Sequence, residues 1–82
     1  MEEQEIVTQL EKIFRQVFNN KDLSIKKEMT ANDVENWDSL SHMLLITEIE
    51  NSFSIKFKLK ELNRMRNVGD MIDIINSKFT VA

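Results

Sequence analysis

The fold is decided by the segment WDSLSHMLLITEIENSF, residues 37–53, where an irregular loop passes into a helix. Successive residues placed about 100° apart around a helix axis over 39–53 give two apolar arcs. The first arc, which we expect to face the core, contains Leu45, Ile46, Ile49 and Phe53. The second arc contains Leu40, Met43, Leu44 and Thr47. Because one buried stripe is enough for a helix of a small bundle, the second arc predicts either further burial or an exposed patch that contacts a partner.

Helical periods also lie on both sides of this segment. The first helix is predicted over 3–18, and its apolar face contains Ile6, Val7, Leu10, Ile13, Phe14, Val17 and Phe18. Glutamates precede this face, and Asn19-Asn20 is a plausible stop. The last helix is predicted to follow Asn67 as N-cap, with Asp70 at the third helical position.

Two connections lack a helical period. Residues 19–38 are long enough to suggest a functional loop or a series of short turns, packed on the core through Leu23, Ile25, Met29, Val34 and Trp37. Ile55, Phe57 and Leu59 alternate with lysines, as in a strand, but the chain offers no partner strand. We therefore expect an extended connection with its apolar side on the core, leading into a short helix over 59–64. The predicted fold is all-α: a small four-helix bundle of three longer helices and one short helix, with a long first loop.

The composition limits the possible function classes. A chain of 82 residues, 41% hydrophobic and 30% charged, predicts a single domain over 1–82. The absence of cysteine excludes a thiolate nucleophile and cysteine-based metal sites, and a single histidine leaves little for any other metal site, so none is expected. No apolar run approaches membrane-spanning length, and the acidic N-terminal residues are unlike a signal peptide. We expect a cytoplasmic monomer.

The charge is unevenly distributed along the chain. The net charge of −3 argues against nucleic-acid binding, which usually requires a basic surface. Residues 1–38 hold nine acidic and five basic residues, whereas residues 39–66 hold three acidic and five basic ones. The middle of the chain is therefore its least acidic part.

Ser39 stands where the loop becomes the second helix. A hydroxyl there lies near unpaired backbone N–H groups and the positive end of the helix dipole, which suits an attached phosphate. The alternative is that Asp38 or Ser39 only caps the helix. His42, one turn later, could suggest a hydrolase triad with Ser39 and Asp38, but so short a chain hardly provides an oxyanion hole and a cleft, so contact with a partner or with the loop is the preferred role.

Three segments carry a resemblance to a known family. DVENWDSLSH (33–42), EIENSFSIKF (48–57) and NVGDMI (67–72) resemble a stand-alone bacterial acyl carrier protein, and the resemblance covers nearly the whole chain. It implies that Ser39 receives covalent 4'-phosphopantetheine from a phosphopantetheinyl transferase that uses coenzyme A. The thiol of that group would hold acyl intermediates as thioesters, so the protein would be a carrier with no catalytic residue of its own.

The resemblance also implies roles for neighbouring residues. Asp38 and Leu40 would flank the attachment site, and the second arc would contact the transferase and enzymes that transfer or ligate acyl or aminoacyl groups. Met65 is a further candidate for recognition. Cargo would be sheltered by Ile46, Ile49, Leu62, Met65 and Ile72, for which plain core packing is the alternative.

The sequence departs from carriers of housekeeping fatty-acid synthesis, whose second helix is strongly acidic. The matching positions here are Ser41, Leu44, Glu50 and Asn51, and basic residues follow at Lys56, Lys58, Lys60, Arg64 and Arg66. Since charge determines partner choice, we expect the enzymes of a specialised pathway. The alternatives are a peptidyl or aminoacyl carrier for an adenylating enzyme and an unmodified helical adaptor. At Asn36 relatives often have glycine, and Asn suits a positive φ there.

Overall fold

Four α-helices form the regular structure of residues 2–79, the part of the chain that the computed structural model describes. They are α1 (Glu3–Val17), α2 (Ser39–Phe53), α3 (Leu59–Leu62) and α4 (Val68–Phe79). No strand occurs in these residues, and none of these helices is long and apolar enough to cross a membrane. Helix α1 packs against both α2 and α4. The predicted all-α bundle of three longer helices and one short helix is confirmed.

One apolar core joins the three long helices to the loop that precedes α2. Its buried members are Ile6, Leu10, Ile13, Phe14, Val34, Trp37, Leu45, Ile49, Phe53, Val68, Met71, Ile72 and Ile75. Fully burying a side chain of this size contributes about 1.5–3 kcal/mol relative to leaving it exposed. Each helix is too short to be stable alone in water, so their stability comes from this shared core.

Helix α1 ends where the two asparagines predict. The N–H of Asn20 donates to the carbonyl of Arg15 at 3.0 Å, and the N–H of Asn19 donates to the carbonyl of Gln16 at 3.3 Å. Asn19 has a φ of 50°, a left-handed conformation that asparagine adopts more readily than most residues. These are the two hydrogen bonds of a Schellman motif, which satisfies carbonyls at the end of the helix.

The start of α4 is tied to the loop between α1 and α2. The predicted N-cap Asn67 accepts the backbone N–H three positions later at 2.8 Å. The N–H of Val68 donates to the carbonyl of Met29 at 2.9 Å, and the N–H of Gly69 donates to the carbonyl of Lys27 at 2.8 Å. A Cβ on Gly69 would lie only 3.1 Å from that Lys27 oxygen, so the one glycine of the chain stands where two backbones approach closely.

The long connection over 19–38 is a series of short turns. Successive backbone hydrogen bonds join Leu23 to Asn20, Met29 to Lys26, Asp33 to Thr30 and Trp37 to Val34. Of the five residues predicted to hold the loop on the core, Val34 and Trp37 are buried in it. Leu23, Ile25 and Met29 are half-buried against it. The loop is therefore packed along its length.

The connection after α2 follows the alternating pattern only in part. Ile55 and Phe57 are half-buried against the core, as predicted. The same prediction for Leu59 is wrong, since this side chain is 75% exposed. The alternation ends because α3 begins at Leu59, where the extended backbone gives way to a helical turn. The short helix ends at Leu62, two residues earlier than predicted.

Candidate functional site

The first turn of α2 is capped by Asp38, which directly precedes Ser39, and by Ser41, two residues after it. The Oδ1 of Asp38 accepts the backbone N–H of Ser41 at 2.9 Å, and the N–H of Asp38 donates to the Oγ of Ser41 at 2.8 Å. This reciprocal pair is a capping box. The hydrogen bond from the Ser41 N–H also holds the pKa of the Asp38 carboxyl below its usual value. Asp38 is therefore the N-cap and remains an anion at neutral pH.

Ser39, the first residue of α2, is exposed. Within residues 2–79 its hydroxyl makes no hydrogen bond, whereas the hydroxyl of Ser41 donates to the carbonyl of Asn36 at 2.7 Å. The two serines thus differ, although they lie on the same turn. One belongs to the cap, and the other presents its hydroxyl to solvent.

The backbone before the cap has the conformation that the sequence predicts. Asn36 has a φ of 70°, in the left-handed region where glycine or asparagine is preferred. Trp37 then enters the core, and its ring lies edge-on to Phe14 with centroids 5.3 Å apart. The turn at Asn36 and the buried indole of Trp37 together determine where α2 begins.

His42 contacts the loop rather than forming a catalytic group with Ser39. Its Nδ1 accepts a hydrogen bond from the Nε1 of Trp37 at 3.1 Å, and the two rings are nearly parallel. Partial burial lowers the pKa of His42. Because Nδ1 accepts the indole proton, the imidazole is neutral in this arrangement. Of the two roles preferred for His42, contact with the loop is observed, and contact with a partner stays a prediction.

The second apolar arc of α2 is on the surface. Leu40 is 75% exposed, Met43 55% and Leu44 56%. Thr47 is also exposed, and its hydroxyl donates to the carbonyl of Met43 at 2.9 Å. Of the two predictions for this arc, further burial is wrong and exposure is confirmed, while contact with a partner stays a prediction. Met65, the other predicted recognition residue, is less exposed than this patch: it is half-buried and packs against the core.

The residues named as candidates for sheltering cargo have different surroundings. Ile49 and Ile72 belong to the continuous core, and Met65 packs against it. Ile46 is buried but lies outside that core cluster, and Leu62 is half-buried. Core packing therefore accounts for Ile49 and Ile72 without any cargo.

A groove opens beside Ser39, with a volume of about 520 Å³. Its lining residues are Ala31, Trp37, Asp38, Ser39, His42, Met43 and Arg66. The sequence did not single out Ala31, and it presented Arg66 only as one member of a basic region. A helical period could not have placed Ala31 and Arg66 beside Ser39. They come together because backbone hydrogen bonds join the start of α4 to the loop between α1 and α2.

The charges around α2 follow the pattern that the sequence indicates. The five basic residues that follow α2 are all exposed: Lys56, Lys58, Lys60, Arg64 and Arg66. Glu50 is half-buried, and its Oε2 accepts the backbone N–H of Phe57 at 2.8 Å. The one acidic side chain among the four positions compared in the sequence is therefore engaged in holding the connection after α2.

The chain is similar to a solved structure of a known protein. No model of a protein family matches the chain, and no curated protein matches it. The solution NMR structure of the holo acyl carrier protein from Geobacter metallireducens matches with a TM-score of 0.84 and 45% sequence identity. The match covers 89% of this chain and 84% of that one. With identity and coverage at this level, the chain belongs to the acyl carrier protein family.

Proposed function

We propose that Ser39 carries 4'-phosphopantetheine and that the protein presents acyl groups, held as thioesters on that arm, to the enzymes of a specialised pathway. The main support for the proposal is the difference between Ser41, whose hydroxyl is hydrogen-bonded in the helix cap, and Ser39, whose hydroxyl is not. Asp38 and Ser41 complete the cap, and the Ser39 hydroxyl faces solvent with no hydrogen bond within the described residues. A phosphopantetheinyl transferase needs such an accessible hydroxyl as its acceptor.

The residues around Ser39 fit this prosthetic group. Its phosphodiester would stand at the N-terminus of α2, where backbone N–H groups and the helix dipole favour negative charge. When bound, the group supplies the thiol that this cysteine-free chain lacks. The transfer breaks the pyrophosphate bond of coenzyme A. The Ser39 oxygen forms the new bond to phosphorus, its proton passes to a base of the transferase, and 3',5'-adenosine diphosphate leaves with the electron pair.

As a member of this family, the protein is a carrier and not an enzyme. Its own contribution is therefore recognition, for which the exposed Leu40, Met43 and Leu44 are the main candidates. Side chains at this spacing on one helix suit a groove in a partner enzyme. Met65, half-buried on the core, would contribute only at the edge of such an interface.

The surface charge supports dedicated partners. With Glu50 occupied by the Phe57 backbone and basic residues after α2, the four α2 positions compared in the sequence present no unengaged acidic side chain for docking. Basic patches on housekeeping fatty-acid enzymes would find little to attract them here, because charge complementarity governs encounter rate and partner choice. We therefore infer that enzymes of a specialised acyl-transfer cluster use this carrier.

Intact mass spectrometry tests the attachment. Co-expression with a phosphopantetheinyl transferase of broad specificity should add one phosphopantetheine to the parental protein. Ser39→Ala should abolish the added mass, whereas Ser41→Ala, the matched control two residues later on the same turn, should retain it. A parental protein that is never modified would favour the adaptor alternative, and modification of Ser39→Ala would move the site elsewhere.

A second measurement tests the choice of partners. The holo protein is loaded by acyltransferases of fatty-acid synthesis, by enzymes encoded near its gene, or by an adenylating enzyme with an amino acid. We expect efficient loading only by the enzymes encoded near the gene of this carrier. Efficient loading by the fatty-acid enzymes would contradict the specialised pathway, and aminoacylation would favour the aminoacyl carrier.

A further inference from the structure

Arg66 is the one arginine or lysine among the residues that line the groove beside Ser39, and the other basic side chain there, His42, is neutral in its bond to Trp37. The position of Arg66 follows from backbone geometry rather than from its own side-chain packing. The two hydrogen bonds that join Val68 and Gly69 to the loop hold the residues before α4 next to the wall at Ala31. Because Arg66 immediately precedes Asn67, the N-cap of α4, the backbone hydrogen bonds of the α4 start fix the position of its Cα beside the groove.

The side chain of Arg66 is accessible. Its Nε lies 3.5 Å from the Oδ2 of Asp70, and the side chain is 84% exposed. The backbone N–H of Arg66 donates to the same Asp70 oxygen at 3.1 Å. A surface ion pair of this length contributes little to stability, so the guanidinium can exchange this partner for a stronger one. Phosphate oxygens are such a partner, because they accept two parallel N–H bonds from arginine.

A phosphodiester on Ser39 would need a counter-charge. The adjacent Asp38 is an anion that is already engaged by the Ser41 backbone. A second negative charge on the next residue would be repelled by this carboxylate. Among the groove residues, the arginine supplies the opposite charge, and the aromatic and thioether side chains of Trp37 and Met43 offer an apolar path for the rest of the arm.

We propose that Arg66 binds the phosphodiester of the arm attached to Ser39 and so lays the first part of that arm along the groove between the loop and α2. This inference rests on the proposed attachment at Ser39. It makes Arg66 a positioning residue that limits where the thiol of the carrier can reach before a partner enzyme binds. Arg64, which is exposed but does not line the groove, should have no such role.

Nuclear magnetic resonance on paired apo and holo samples tests the inference. Two quantities are recorded: the ³¹P chemical shift of the phosphodiester and the change in the ¹H–¹⁵N spectrum from apo to holo. They are recorded for the parental protein and for the variants Arg66→Gln, Arg66→Lys and Arg64→Gln. In the parental protein we expect holo-dependent shifts at the Arg66 side chain, the Ala31 amide and the Trp37 indole. Arg66→Gln should remove most of these shifts and move the ³¹P resonance, Arg66→Lys should retain part of them, and Arg64→Gln should retain all of them.

The difference between apo and holo separates positioning from a structural effect. A merely structural role of Arg66 would alter the apo and holo spectra alike and cancel in the difference. Equal apo-to-holo changes in Arg66→Gln and in the parental protein, with phosphopantetheine present by mass, would overturn the inference and leave the attachment at Ser39 standing. Absence of the added mass in the parental protein would overturn both.

Discussion

Helices α1 and α2 have the same length of 15 residues but distribute their apolar side chains differently. The buried residues of α1 span the helix from Ile6 to Phe14, and its exposed side chains are polar. All the buried residues of α2 lie from Leu45 onward, while the preceding turns expose Leu40, Met43 and Leu44. The whole of α1 thus serves folding. In α2 the C-terminal part holds the core, and the N-terminal part exposes the apolar side chains that we propose bind partner enzymes.

The largest expected effect compares two adjacent leucines across this division. Leu45→Ala removes a fully buried side chain and should lower the free energy of unfolding by about 2–5 kcal/mol, because it loses burial and leaves a cavity. Leu44→Ala, at a position 56% exposed, should change it by less than about 0.5 kcal/mol. Urea unfolding followed by circular dichroism measures both. Similar losses for the two variants would contradict the division of α2 into two parts.

The next effect concerns binding by the exposed part. Leu40→Ser should reduce the rate of modification by a phosphopantetheinyl transferase about tenfold, the equivalent of about 1.4 kcal/mol, since an apolar contact at the acceptor site is lost. Leu59→Ser is a matched control, because both leucines are 75% exposed and only Leu40 lies on the second arc. Intact mass against time gives the rates. An equal reduction in the control would show that exposed leucines in general, rather than this arc, affect the reaction.

The sequence predicted helix bounds correctly where the local apolar pattern matches the face that the helix buries in the core. The bounds of α2, the stop at Asn19 and the cap at Asn67 follow from periodicity and capping chemistry, which act within a few residues. The exposed arc was predicted only as one of two alternatives, because a helical period cannot tell which face finds a neighbour. The groove and the place of Arg66 could not be predicted at all, since they depend on pairing between distant segments.

The third effect compares the two serines of the first turn. Ser41→Ala removes the side-chain half of the capping box and should lower the free energy of unfolding by about 1 kcal/mol. Ser39→Ala should change it by only a few tenths of a kcal/mol, because that hydroxyl makes no hydrogen bond within residues 2–79. Thermal or urea unfolding of the apo proteins gives both values. A larger loss for Ser39→Ala would mean that Ser39 belongs to the cap.

The smallest effect concerns His42, which ties the N-terminal part of α2 to the loop. Burial lowers its pKa in the folded protein below the ordinary value of about 6.5 that it has in the unfolded chain. The unfolded chain therefore takes up the proton first as the pH falls. The contribution of neutral His42 to the free energy of unfolding should be fully present above about pH 6.5. It should decrease as the pH falls from there toward the lower pKa of the folded protein. Urea midpoints between pH 7.5 and 5.5, followed through the fluorescence of Trp37, measure the decrease.

His42→Asn is the variant that isolates this effect. Asparagine places an amide oxygen near the position of Nδ1, so an acceptor for the Trp37 indole remains while the titrating group is removed. The variant should lose the part of the pH dependence that lies between pH 7.5 and 5.5 and keep the indole in its buried environment. If the variant shows the same decrease as the parental protein, other groups cause it. The bond between Trp37 and His42 would then hold the loop without sensing pH.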